Sequence, residues 1–251
     1  MKVIILAAGT GSRLKDLTKT KPKCLVELLN KPILDYQLEI LNKFDFSDIY
    51  LIGGYKKELI INRNIKILTN ENYDTTNMVY TLFKAKELFQ QSEDILISYG
   101  DIIYTKDVIS NLLKSTGQIS ITVDTKWEDY WRSRMKNPLE DAETLKLDKQ
   151  NNILEIGNKA TSYDEIEAQY MGLIKVKSQI AKKLFGAWIK MRKEYNYSKK
   201  SFNNMYMTTF IQNLVDKRIQ VKAVKVKRGW VEIDKPDDIS VAESWLKQNF
   251  K

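Results

Sequence analysis

The segment Leu6-Ala7-Ala8-Gly9-Thr10-Gly11-Ser12-Arg13-Leu14 stands directly behind a short apolar run, Lys2–Leu6. An apolar strand feeding a loop of glycine and alanine points to an open α/β sheet, which binds ligands at the carboxyl ends of its strands. Small residues let the backbone approach a phosphate chain with its N–H groups turned to the oxygens. Two familiar phosphate loops do not fit. A dinucleotide G-x-G-x-x-G needs glycine where Leu14 stands, and the Gly-Lys-Ser/Thr of a P-loop is absent. Arg13 instead places a forked cation beside the loop, and Pro22-Lys23 follows about ten residues later.

The rest of the chain alternates strand and helix. Leu34, Leu38 and Leu41 predict a helix over 33–44, and Asp48–Ile52 reads as a strand ending at Gly53-Gly54. Met78, Leu82, Ala85 and Phe89 predict an amphipathic helix over 75–89. Asp94–Ser98 is an apolar strand, 105–115 a helix and Ile119–Val123 a strand. Thr144–Leu147 and Ile153–Ile156 form a hairpin around Asp148–Asn152. Gln169–Val176, Val221–Val226 and Trp230–Ile233 are strands, and helices run through Met207–Leu214 and Ile239–Leu246. The expected fold is a Rossmann-like α/β domain over 1–251, with a mixed, mostly parallel central sheet flanked by helices. Residues 124–172 are expected to form an insert.

Composition narrows the chemistry. The 251 residues contain no histidine, so no Ser-His-Asp triad, Cys-His pair or His-ligated metal is available. One cysteine, Cys24, allows neither an internal disulfide nor a multi-cysteine metal site. Chemistry must come from carboxylates, lysine, arginine, hydroxyls, backbone amides or a hard ion held by oxygen. The first apolar run is too short for a signal peptide or a membrane span, so a cytoplasmic protein is expected. The net charge of +9 is scattered, with Lys225, Lys227 and Arg228 the densest stretch, and it predicts no nucleic-acid partner.

Leu6-Ala7-Ala8-Gly9-x-Gly11-x-Arg13-Leu14 followed by Pro22-Lys23 resembles the signature of nucleotidyltransferases that join a nucleoside triphosphate to a small phosphorylated compound. The resemblance implies that Gly9, Gly11 and Arg13 cradle the triphosphate and that Lys23 binds the α-phosphate. Leu6, Ala7 and Ala8 belong to the same loop. A fixed ammonium suits the negative charge that spreads over the α-phosphate during attack. The attacking phosphate oxygen is already ionised, so no general base is needed.

Asp101 ends the strand Ile95–Tyr99 at Gly100-Asp101, where a carboxylate can hold Mg²⁺ beside phosphates. In Trp230-Val231-Glu232-Ile233-Asp234, period two puts Glu232 and Asp234 on one face. The resemblance makes Asp101 and Asp234 the Mg²⁺ ligands, with Glu232 a neighbour or co-ligand. Asp234 also suits a helix cap before Pro236. Ser98, Gly100, Gly53 and Tyr55 are expected near the nucleotide. The stretch Asn72–Asn77 resembles a cytosine-reading segment of small-alcohol cytidylyltransferases. Asn77 can read a base edge or simply cap a helix.

For the acceptor, the unusual stretch Asp124–Arg134 (DTKWEDYWRSR) supplies Asp124, Lys126, Trp127, Trp131 and Arg134. Glu143, Lys159, Gln169 and Tyr170 complete the set, with Lys159 and Arg134 as phosphate contacts. A pair of tryptophans four apart on a helix is more often core or lid packing than a ligand cage. Together with NPLEDAETLK and YDEIEAQYMGL, these segments resemble cytidylyltransferases acting on phosphocholine, 2-aminoethylphosphonate or, most extensively, phosphoglutamine in capsule phosphoramidate synthesis. The implied reaction joins CTP to L-glutamine phosphate and releases pyrophosphate, in a monomer or homodimer with no membrane partner. Two alternatives remain, a sugar-1-phosphate nucleotidyltransferase and a nucleic-acid binder.

Overall fold

The computed structural model describes residues 1–194 and 196–250. In chain order, β1 spans Lys2–Ala7, β2 Glu27–Leu28 and β3 Lys31–Pro32, and α1 spans Ile33–Leu41. Then come β4 (Asp48–Gly53), β5 (Lys66–Thr69), α2 (Met78–Leu82), β6 (Ile95–Tyr99) and β7 (Ile102–Tyr104). Next are α3 (Lys106–Lys114), β8 (Ile119–Asp124), α4 (Trp127–Arg134), β9 (Glu143–Leu147) and β10 (Ile153–Lys159). The chain continues through β11 (Gln169–Val176), α5 (Ser178–Glu194), α6 (Lys199–Asn203) and α7 (Met207–Asp216). It closes with β12 (Val221–Val226), β13 (Trp230–Glu232) and α8 (Asp238–Asn249).

Seven strands form the central sheet in the order β12-β8-β11-β6-β1-β4-β5. All run parallel except β11, which lies antiparallel between β6 and β8. The mixed character expected of the late strands therefore resides in β11 alone. Along β1, Val3 and Ile5 enter one apolar core while Ile4 and Leu6 enter the other. A strand covered on both faces reads as a continuous apolar run, as Lys2–Leu6 does. Between β8 and β11 the chain leaves the central sheet to build α4 and the expected hairpin, β9 paired antiparallel with β10.

The region expected as one helix over 75–89 divides. Helix α2 stops at Leu82, and 3-10 turns follow at Phe83–Ala85 and Leu88–Gln90. The apolar side survives the change of period. Phe83 and Phe89 meet at 5.4 Å between ring centroids, and Phe83 stacks on Trp188 at 4.8 Å. Packing against α5 thus overrides the 3.6 repeat. Helix α5 itself was not anticipated, although Ile180, Ala181, Leu184, Trp188 and Met191 give it an apolar face. Among the described residues, no helix is long and apolar enough to cross a membrane.

Two contacts fix the edge where the glycine loop begins. Gly11 sits in the left-handed region at φ 65, which favours glycine. Gly100 N–H donates to Leu6 O at 2.8 Å, and a Cβ on Gly100 would lie 2.7 Å from that oxygen and 2.8 Å from Ala7 Cβ. Gly100→Ala is expected to lower the unfolding free energy by about 1–3 kcal/mol by forcing these ends apart. Urea melts check this, and an unchanged midpoint would show that β1 and β6 do not meet so closely.

Candidate active site

A cavity of about 390 Å³ opens at the carboxyl edge of β1 and β6. Leu6, Ala7, Ala8, Gly9, Gly11 and Arg13 line one side, and Asn77 lines the wall opposite. Lys23, Gly100, Asp101 and Asp234 also line it. Residues far apart in sequence reach this place through sheet register. Strand β13 pairs antiparallel with β7, with Glu232 opposite Ile102, and Ile233 N–H donates to Asp101 O at 2.9 Å. Asp101, Glu232 and Asp234 therefore converge, with carboxylate oxygens within 4.8 Å of one another.

Lys23 sits between the two aspartates. Its Nζ donates to Asp101 Oδ2 at 2.7 Å and to Asp234 Oδ1 at 2.8 Å. Burial works against this ammonium, but Asp101, Asp234 and Glu232 outweigh it and raise its pKa, so Lys23 stays charged. Arg13 pairs with the other oxygen of Asp234. Burial, opposed by Arg134 and Lys23 and reinforced by Asp101 and Asp234, pushes the Glu232 carboxyl up to about 7. Asp101 Oδ1 is buried without a hydrogen-bond partner. Three clustered carboxylates, one with an unsatisfied oxygen, offer hard oxygen donors that fit a divalent cation such as Mg²⁺. Burial pushes the Cys24 thiol up to about 12, so this neighbour of Lys23 is a packed, inert group.

The remaining expected nucleotide residues lie off the cavity wall. Gly53 is within β4, where its carbonyl accepts from Asn70 N–H at 2.8 Å. Tyr55 N–H donates to Ala8 O at 3.0 Å, and its hydroxyl donates to Lys19 O at 2.9 Å, so it braces the loop from behind. Ser98 is fully buried, with its hydroxyl donating to Tyr99 O at 3.0 Å. Asn77 caps α2, its Oδ1 accepting from Met78 N–H at 2.8 Å. Asp234 does not cap α8. Its own N–H donates to Asp238 at 2.8 Å.

None of the expected acceptor residues lines this cavity. Asp124 is fully buried and accepts from Trp230 Nε1 at 2.9 Å, Arg228 Nη1 at 3.1 Å and two backbone N–H groups. Trp127 and Trp131 are buried, Trp127 stacking on Tyr163 at 6.0 Å and Trp131 donating Nε1 to Asp141 at 2.9 Å. Arg134 is enclosed between Glu232 and Asp238. Gln169 is buried and accepts from Glu143 N–H at 3.3 Å. Tyr170 packs edge-on against Tyr99 at 5.8 Å, behind the Gly100-Asp101 turn. Glu143 is half-buried with Thr208 Oγ1 at 3.4 Å, and burial raises its carboxyl. Lys126 and Lys159 are exposed.

Sequence reasoning missed several participants. Tyr73, Thr76 and Met78 line the cavity. Gln37 is fully buried in α1, and its Nε2 donates to Tyr99 O and Ile102 O, both at 2.7 Å, bracketing the turn that carries Asp101. Its one sequence signal is a polar residue on the apolar face of an otherwise apolar helix.

A family model described as the MobA-like NTP transferase domain matches residues 3–150. The CTP:phosphoglutamine cytidylyltransferase of Campylobacter jejuni is 42% identical, over 96% of this chain and 98% of its own. A bifunctional sugar-1-phosphate nucleotidylyltransferase/acetyltransferase of Sulfurisphaera tokodaii is 30% identical over 100% of this chain, which spans 56% of that protein. Among solved structures, the CTP:phosphocholine cytidylyltransferase of Streptococcus pneumoniae superposes with a TM-score of 0.70 at 20% identity, covering 98% of both chains. That likeness shows the shared fold.

Asp124→Ala leaves Arg228 and the indole of Trp230 without their buried partner. It should cost about 3–5 kcal/mol of stability in denaturant melts, and a loss under about 1 kcal/mol would show that Asp124 is not the anchor of this corner.

Proposed function

Because the chain belongs to the MobA-like NTP transferase family and is a nucleotidyltransferase, we propose that it transfers CMP from CTP to L-glutamine phosphate, releasing pyrophosphate. The observation that carries this reading is the convergence of Lys23 with Asp101 and Asp234 beneath the glycine loop. The relative at 42% identity over nearly its whole length supports the choice of CTP and of the acceptor. The product would be CDP-L-glutamine, a donor for capsule modification. The reading is of a cytoplasmic monomer or homodimer that handles small molecules, without nucleic acid or membrane.

The chain's own residues account for the transfer. N–H groups of Ala8 through Ser12 and the Arg13 guanidinium hold the triphosphate oxygens. Asn77 and the loop before it face the base, where an amide can donate and accept at a cytosine edge. An acceptor phosphate oxygen attacks the α-phosphorus, the new P–O bond forms, and the bond to the β-phosphate oxygen breaks. Lys23 reaches this centre as a permanent cation and stabilises the charge on the α-phosphate oxygens. No proton has to be removed from the nucleophile, consistent with a site that contains no histidine. Asp101, Asp234 and Glu232 would hold Mg²⁺. A bound Mg²⁺ supplies charge neutralisation and orientation for the phosphate oxygens. The acceptor is proposed to enter from the side of residues 124–172, with Lys159 and Lys126 among the exposed cations there.

Pyrophosphate release with Mg²⁺, crossing five nucleoside triphosphates with L-glutamine phosphate, phosphocholine, 2-aminoethylphosphonate and glucose-1-phosphate, tests this reading. Turnover is expected with CTP and L-glutamine phosphate and should vanish on chelation. Turnover with glucose-1-phosphate alone would favour the sugar-1-phosphate reading, which the Sulfurisphaera tokodaii relative supports. Lys23→Ala should lower kcat by about 10²–10³-fold, the scale of losing one preorganised donor. Unchanged turnover in that variant would sink the assignment.

A further inference from the structure

Helix α4 ends on Arg134, whose side chain is 3% exposed, as is that of Asp238 opposite it. Arg134 Nε and Nη2 donate to the two Asp238 oxygens at 2.8 and 3.0 Å, and Nη1 donates to Glu232 Oε2 at 3.1 Å. All three guanidinium nitrogens are thus engaged, and the group lies over the rings of Tyr130 and Trp131 at 5.1 and 5.6 Å. Asp238 Oδ2 accepts from the N–H groups of Asp234 and Lys235, each at 2.8 Å. Four residues before Arg134, the Tyr130 hydroxyl accepts from Glu232 N–H at 2.7 Å and donates to Glu232 O at 3.2 Å. One helix therefore grips Glu232 by backbone and side chain. Through Asp238, the same helix holds the backbone of Asp234.

We propose that Arg134, together with Tyr130 and Asp238, is a positioning residue for the divalent-cation ligands. Helix α4 sets the distance of Glu232 and Asp234 from Asp101, and with it the affinity of the three carboxylates for the cation. This rests on the metal-dependent reading above. The physical reason is preorganisation. A carboxylate already held by a planar, two-pronged guanidinium loses little freedom when it takes an ion, whereas a loose one must be ordered first. A lysine at 134 would keep the charge and lose the fork. Because α4 opens the excursion between β8 and β11, the arrangement also links that excursion mechanically to the carboxylates.

The test uses Mn²⁺ alone, titrated into the nucleotide-free full chain and followed by the electron paramagnetic resonance signal of the free ion. Arg134→Lys should bind Mn²⁺ about 10–100-fold more weakly than wild type, the scale for losing a partner of a metal ligand. Tyr130→Phe should show a smaller loss. Leu112→Ala, a cavity in the core under α3, should lower Tm without moving Mn²⁺ affinity. In steady state, Arg134→Lys should need more metal for half-maximal rate yet recover most of kcat at saturating metal. Folded Arg134→Lys and Tyr130→Phe proteins with wild-type Mn²⁺ affinity would overturn the proposal. If Arg134→Lys does not fold, wild-type affinity in Tyr130→Phe overturns it alone. A wild-type protein that binds no Mn²⁺ overturns instead the metal-dependent reading beneath it.

Discussion

The ammonium of Lys23 joins Asp101 and Asp234, partners 78 and 211 residues away in sequence. Everything else in the site exists to make that meeting possible. The glycine loop places Lys23 under the end of β1. The β6–β7 turn supplies Asp101. The register of β13 on β7 delivers Asp234 to the same point. A slip of one residue in that pairing would turn Glu232 and Asp234 to the opposite face and leave Lys23 and Asp101 without them.

Such a concentration of charge is costly to bury, and the structure meets the cost by pairing every member. Around Asp101, Glu232, Asp234 and Asp238 stand Lys23, Arg13 and Arg134. A buried ion pair adds little net stability, and breaking one is expensive because the survivor keeps its desolvation penalty. The network is therefore better understood as a device for placing atoms than as a source of stability. Its chemistry follows from the same pairing. Two of these cations, Lys23 and Arg13, line the cavity where a triphosphate would bring further negative charge.

Much of this was legible in the sequence because the signals are local. The strand-then-glycine order fixed the position of the loop, and period two in 230–234 put Glu232 and Asp234 on one face. The hairpin of 144–147 with 153–156 and the strands at 169–176 and 221–226 followed from alternation and turn residues. The supporting shell was not legible. Arg134, read as a phosphate contact, and Asp238, with no signal of its own, lie 104 positions apart, so only the fold reveals them as a buried pair. Gln37 likewise gains meaning only from the two carbonyls it brackets. The segment 124–134 misled in another way. Asp124, read as a contact for a ligand, is spent on the core, and the tryptophans follow their packing alternative, Trp131 and Tyr130 against Trp230 and Trp127 against Trp131. The 75–89 repeat was real, but aromatic packing against α5 shortened its period.

The central claim is that the CMP moiety passes intact to a phosphorylated acceptor at the Lys23 centre. The most direct measurement follows the label from CTP carrying ³²P at the α-phosphate, incubated with L-glutamine phosphate and Mg²⁺. The label is expected in a CDP-linked product while the pyrophosphate remains unlabelled, and Lys23→Ala is expected to slow the transfer by about 10²–10³-fold. Release of the label as free CMP, or transfer at an unchanged rate without Lys23, would contradict it.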